Sequence, residues 1–169
     1  LKFYDIWETV KRAVAQVAKS GVRFLTVHAS GAVMRAAVEG RGSSRLRLLA
    51  VTVLTSFDRN DLAELGYSCE VSELVDLLVR RAVASGVDGL ITSPLEVAAV
   101  RAVAGPQSIL ITPGVRSAGA GKGDQKRVAT PAEALRAGAD YVVIGRQITR
   151  SADPASEVAR VLEEISAFT

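Results

Sequence analysis

Apolar and polar positions along this chain follow two alternating periods. Ile6, Val10, Ala13, Val14 and Val17 recur every three or four residues, which predicts an amphipathic helix with Gly21, just beyond Lys19, as its stop. Phe24-Leu25-Thr26-Val27 is a short run of β-formers and predicts a strand, after which helical spacing resumes over residues 31–39. Residues 46–54 are almost continuously apolar, as expected of a parallel strand buried on both faces. A loop with Asp58, Asn60 and Asp61 then leads to Ser72, the expected N-cap of a helix ending near Gly86. Further strands are predicted at 88–92, 108–112 and 141–144. Ser93-Pro94-Leu95-Glu96, Thr130-Pro131-Ala132-Glu133 and Asp153-Pro154 each put proline just after a capping residue, the usual opening of a helix.

The order is a strand end, a helix, and five strand–helix units, which calls for a parallel sheet with right-handed crossovers. An open doubly wound sheet would close at this length, but no Gly-x-Gly-x-x-Gly turn or Gly-x-x-x-x-Gly-Lys-Ser/Thr element occurs. A TIM barrel usually needs about 250 residues and eight strands, so it would be a barrel without its beginning. Residues 1–5 fit that picture: they read as the end of a strand entering a helix, with no initiator Met and no basic leader. Patterning alone leaves both architectures open.

No low-complexity segment or shift in composition marks a second domain. The 169 residues, 49% hydrophobic and 23% charged, suit one soluble globular domain. The net charge of +3 comes from 21 basic residues scattered among 18 acidic ones, which points to a small anionic ligand and not to nucleic acid. Cys69 is the only cysteine, so an intrachain disulfide, a thiolate metal cluster and a CxxC redox pair are excluded, and a reducing, cytoplasmic setting is expected. No apolar run approaches the roughly 18 residues of a membrane span.

Two constellations could carry chemistry. Lys2 and Asp5 stand at a strand end with Ile6 and Thr9 beyond them. Structurally, Asp5 and Glu8 could form a helix-capping pair and Lys2 could be solvated; in a barrel, however, Lys2 would stand at the C-terminal mouth, where active sites lie. The second begins at Thr112-Pro113-Gly114-Val115-Arg116, continues through a glycine- and alanine-rich loop at 117–122 to Gly123-Asp124-Gln125, and resumes at Gly145-Arg146 after the next strand. An arginine fork and glycine backbone after the last two strands would suit a phosphate. Structurally, Gly114 could merely allow a turn and Arg116 could be a surface charge. The loop has nothing apolar to anchor it and is expected to order only around a bound phosphate. His28 is read as structural.

Leu1-Lys2-Phe3-Tyr4-Asp5-Ile6-Trp7-Glu8-Thr9 resembles the Asp-x-Lys-x-x-Asp-Ile-x-x-Thr signature of orotidine 5'-monophosphate decarboxylases, entered one residue late. Val27-His28-Ala29-Ser30-Gly31, Thr52-Val53-Leu54-Thr55-Ser56, Thr112-Pro113-Gly114-Val115-Arg116, Gly123-Asp124-Gln125 and Val143-Ile144-Gly145-Arg146 are similar to the bacterial branch of that family, in the same order. The resemblance implies an α/β (β/α)8 TIM barrel, of which residues 1–169 supply the end of strand 3 through helix 8 as one domain, its C-terminal two thirds. It implies a cofactor-independent decarboxylase with Lys2 as proton donor to C6 of the pyrimidine. It also implies a homodimer with shared active sites, in which Asp5 acts catalytically in the partner's site, completing its charge network and touching the ribose, Thr9 holds the same ligand from the partner side, and Ile6 is a substrate-binding residue. Thr55 would bind the pyrimidine, and Arg116, Gln125, Gly145 and Arg146 the phosphate.

The family's charge network has an aspartate just before the position of Leu1 and a lysine on the preceding strand, so the 169 residues are expected to be incomplete for catalysis. Trp7 and Glu8 depart from the Pro and Asn of many members. The first signature is also shared with sugar-phosphate decarboxylases and aldolases of the same superfamily, the nearest alternative. An inactive interaction domain is the alternative from another class.

Overall fold

The computed structural model describes residues 1–119 and 127–167. The elements follow one another as β1 (Lys2–Phe3), α1 (Trp7–Val17), β2 (Phe24–His28), α2 (Gly31–Arg41), β3 (Arg47–Val51), α3 (Arg59–Glu64) and α4 (Val71–Ser85). After these come β4 (Gly89–Ile91), α5 (Val97–Ala104), β5 (Ile109–Thr112), α6 (Pro131–Arg136), β6 (Tyr141–Val142), α7 (Arg146–Thr149) and α8 (Pro154–Ser166). The six strands pair in parallel in the order β1-β2-β3-β4-β5-β6. That order is what right-handed crossovers stepping the same way produce, with the crossover helices on one face of the sheet, whereas a doubly wound sheet would reverse direction.

The register separates the two faces. Phe3, Val27, Ala50, Leu90 and Leu110 lie in one row across the strands and pack into the helix-side core with Val10, Val14, Met34, Val79 and Val97. The rows on either side, Lys2-Thr26-Leu49-Gly89-Ile109 and His28-Val51-Ile91-Ile111-Tyr141, therefore point to the opposite face. That face is concave. Phe24 and Tyr141 belong to strands four steps apart, about 19 Å in a flat sheet at about 4.8 Å per step, yet their ring centroids are 5.5 Å apart. The sheet is thus curled, six strands of a (β/α)8 TIM barrel, and the doubly wound alternative is set aside.

Close approach of α2 to α1 fixes the outer layer. A Cβ at Gly40 would collide with the backbone carbonyl of Lys11, so only glycine fits there. Under the sheet, Asp88 accepts from the Leu48 N–H at 2.9 Å and pairs with Arg41 and Arg47. Asp140 repeats the device two strands on, accepting from the Leu110 N–H at 2.7 Å and from Arg101 at 2.8 Å. Both tie the start of one strand to its neighbour, at the opposite ends of the strands from the site.

Several local expectations change. Asp58 and Asp61 form a capping box that turns the expected loop into α3. The next helix is capped by Glu70 and not by Ser72. Ser93-Pro94 opens a turn, and α5 starts only at Val97, because the Glu96 carboxylate is drawn into an ion pair with Arg127. Asp5 and Glu8 form no capping pair: Ile6 occupies the N-cap of α1, and the Asp5 carboxylate accepts from the Ile6 N–H at 2.6 Å. The capping box at Thr130 and Glu133 and the Asp153 cap are as the sequence predicts.

Candidate active site

The concave face opens at the C-terminal ends of the strands into a cleft of about 210 Å³, lined by Lys2, Val51, Val53, Leu54, Thr55, Ser56, Ile91, Thr92 and Pro113. Lys2 faces this cleft because it shares an inward row with Thr26 and Leu49, and Val51 and Ile91 in the next row supply an apolar wall. Charge–charge interactions are stronger beside such a wall than in water. Thr55 follows β3 through a turn closed by Phe57 N–H donating to the Leu54 carbonyl at 2.9 Å, and it is buried. The hydroxyls of Thr92 and Thr112, at the ends of β4 and β5, are buried without a partner among the described residues. Lys2 and Thr55, far apart in sequence, thus meet in one cleft.

Past β5 the chain turns at Gly114, whose φ of 79° is in the left-handed region that favours glycine. Val115 then pairs with Ala129, and the Arg116 N–H donates to the Ala129 carbonyl at 3.0 Å. The half-buried Arg116 guanidinium folds back to donate to the Val115 carbonyl at 2.7 Å. At the base of the loop, whose sequence lacks apolar anchors, Ser117 is held by polar contacts. It is buried, its N–H donates to Gln147 Oε1 at 3.0 Å, and Gln147 Nε2 donates to its hydroxyl at 2.9 Å and to Glu157 at 2.7 Å. Since Gln147 follows Gly145 and Arg146 directly, this amide joins the two halves of the expected phosphate grip. Sequence reasoning missed Gln147, because a glutamine beside a glycine-arginine pair carries no motif of its own. Gly145 caps α7, and a Cβ there would meet open space. Gln125 and residues 120–122 of the loop lie outside the described residues.

Asp5, Ile6 and Thr9 do not line the Lys2 cleft. They are exposed at the start of α1 beside Tyr4 and Trp7, and three large apolar side chains stand open together, with Tyr4 68%, Ile6 69% and Trp7 54% exposed. Next to them Tyr4, His28, Phe57, Leu62, Leu65 and Tyr67 contribute to a groove of about 590 Å³.

A family model described as "Orotidine 5'-phosphate decarboxylase / HUMPS family" matches residues 1–161. The chain belongs to that family. It is 50% identical over 169 residues to the orotidine 5'-phosphate decarboxylase of Rhodopseudomonas palustris strain BisA53, covering 100% of this chain and 72% of that protein. The protein of the same name from Methylobacterium sp. strain 4-46 is 52% identical over 169 residues, with 98% of this chain and 72% of the relative covered. Among solved structures, the orotidine 5'-phosphate decarboxylase of Lactobacillus acidophilus superposes with a TM-score of 0.80 at 34% identity, covering 98% of this chain and 73% of that one.

In this chain of the orotidine 5'-phosphate decarboxylase / HUMPS family, His28 stands at the end of β2, its ring 4.7 Å from that of Tyr4. Partial burial, and secondarily the charge of Lys2, lower its pKa from 6.5. In the folded protein His28 therefore stays neutral where the unfolded chain already binds a proton. Its contribution to stability is complete above about pH 6.5 and is lost as the pH falls from there toward the lower folded value. His28 is the only histidine. Urea unfolding followed between about pH 7.5 and 5.5 should show this decline, and His28→Asn should flatten it. An unchanged slope in the variant would assign the titration elsewhere.

Proposed function

We propose that the protein decarboxylates orotidine 5'-monophosphate to uridine 5'-monophosphate in de novo pyrimidine biosynthesis, with no metal or organic cofactor. The observation that carries this reading is 50% identity across the whole chain to a relative named for that reaction. The relatives' names favour the nucleotide over a sugar phosphate. A catalytically silent interaction domain has no observation of its own in its favour.

In this reading the bond from C6 to the carboxylate breaks, carbon dioxide leaves, and the electron pair remains on C6. The Lys2 ammonium stabilises that developing charge and then gives C6 its proton, ending as a neutral amine. Thr55 holds the pyrimidine from the β3 side of the cleft. Arg116, Gln125, Gly145 and Arg146 take the phosphate, whose binding energy far from C6 helps to hold the reacting geometry. The functional unit is a homodimer in the cytoplasm, with Asp5, Ile6 and Thr9 reaching the ligand of the partner; the exposed apolar cluster around Ile6 and Trp7 supports this arrangement. Residues 1–169 act as one domain, the C-terminal two thirds of the barrel. Nucleic acid and membrane are not partners, and no helix among the described residues is long and apolar enough to cross a membrane.

Turnover of orotidine 5'-monophosphate by the full-length protein, followed by release of carbon dioxide and unaffected by a magnesium chelator, tests the reading. Absence of turnover, or dependence on magnesium with an open-chain sugar phosphate, would overturn it. Arg116→Ala is expected to remove a charge-assisted contact of about 1.5–3 kcal/mol and to weaken nucleotide 5'-monophosphate binding by about one to two orders of magnitude. Uridine, which lacks the phosphate, should bind the variant almost as it binds the parent. Equal losses for nucleotide and nucleoside would show that Arg116 does not read the phosphate.

A further inference from the structure

The cleft wall that carries Thr55 is held from behind by a side chain that no motif singles out. Beyond the end of β3 the carbonyls of Val53 and Leu54 lie outside the strand ladder; that of Leu54 accepts from the Phe57 N–H at 2.9 Å, and both can take a further donor. Arg127 Nη2 donates to both, at 3.2 Å and 2.9 Å. Its Nη1 donates to Glu96 Oε1 at 2.6 Å, and Glu96 closes the turn after β4 by donating its N–H to the Ser93 carbonyl at 3.1 Å. One guanidinium therefore ties the segment after β3 to the segment after β4, and Val53 and Leu54 themselves line the Lys2 cleft.

Stability alone is a poor explanation for this pair. The side chains of Arg127 and Glu96 are only 10% and 14% exposed, and desolvating two charges costs much of what their attraction returns. Arg127 Nε and Glu96 Oε2 are moreover buried without a partner among the described residues. Well-packed apolar side chains would hold these turns together about as firmly. They could not present a planar fork to a carboxylate and two carbonyls at once.

We propose that Arg127 is a positioning residue for the pyrimidine-facing wall: it fixes the Val53 and Leu54 carbonyls, and through them the placement of Thr55, relative to the turn after β4. The inference rests on the nucleotide reading of the cleft given above. It predicts that losing the fork harms recognition of the ring while leaving recognition of the phosphate intact.

The test compares the full-length parent with Arg127→Lys, which keeps a charge opposite Glu96 but loses the fork, and with the double variant R127M/E96L, which removes both charges. Both variants should lower kcat/KM for orotidine 5'-monophosphate by about thirtyfold or more and weaken uridine 5'-monophosphate binding by about tenfold. Ribose 5-phosphate, which has the phosphate and no ring, should bind each variant within about twofold of the parent. The double variant should keep its unfolding midpoint within a few degrees, which separates positioning from a failure to fold. Parallel losses for the nucleotide and ribose 5-phosphate, parental activity in Arg127→Lys, or activity that merely tracks the folded fraction would each overturn the role of Arg127. A parent that neither turns over orotidine 5'-monophosphate nor prefers uridine 5'-monophosphate to ribose 5-phosphate would instead overturn the functional reading itself, and the role of Arg127 with it.

Discussion

Lys2→Ala in the full-length protein is expected to lower kcat for orotidine 5'-monophosphate by at least about a thousandfold, roughly 4 kcal/mol of barrier, while uridine 5'-monophosphate still binds. The split follows from when the ammonium acts. In the proposed reaction C6 carries no charge for Lys2 to stabilise before carbon dioxide leaves; as the bond breaks, an electron pair would localise there, in the cleft that Val51 and Ile91 wall. An interaction that grows only in the transition state lowers kcat when removed and leaves product affinity largely alone. Single-turnover kinetics with product-binding titration would measure both quantities. A kcat within about tenfold of the parent, about 1.4 kcal/mol, would remove Lys2 from the role of proton donor.

The same lysine shows how far the sequence could be read. Its place at a strand end followed from the helix that begins just after it, and its place in a cleft followed once strands and helices were seen to alternate. The places of the strands and the outline of the core were legible because parallel strands buried on both faces leave runs such as Leu48-Leu49-Ala50-Val51, all buried. What could not be read is set by contacts remote in sequence. Ser93-Pro94-Leu95-Glu96 has the local signs of a helix start, yet the Glu96 carboxylate is claimed by Arg127, 31 residues away. Gln147 likewise gains its role only when folding brings it to Ser117, 30 residues earlier in the chain. Local propensity is a weak prior beside a buried charge that must find a partner. Thr55 was legible through resemblance alone, since a threonine after a strand has no distinctive spacing.

Mixing a full-length Asp5→Ala variant with a full-length Lys2→Ala variant should restore activity that neither has alone. Asp5, Ile6 and Thr9 are exposed and do not line the cleft that holds Lys2. If they serve the ligand of a second copy, each site draws Lys2 from one chain and Asp5 from the other. A two-fold interface makes both sites alike in the parent. In a mixed dimer, one site then carries both alanine substitutions, and the other keeps Lys2 and Asp5 together. Random exchange of equal amounts makes about half of the dimers mixed, each with one intact site, so recovery should approach about a quarter of parental activity. The burial of Tyr4, Ile6 and Trp7 in such an interface would also make the dimer hard to dissociate, so exchange should be driven by mild denaturant and verified by mass. Recovery near a quarter requires a shared site. No recovery after proven exchange would place Asp5 outside the partner's site, and its carboxylate would be left with the bond it makes in the structure, to the Ile6 N–H at 2.6 Å.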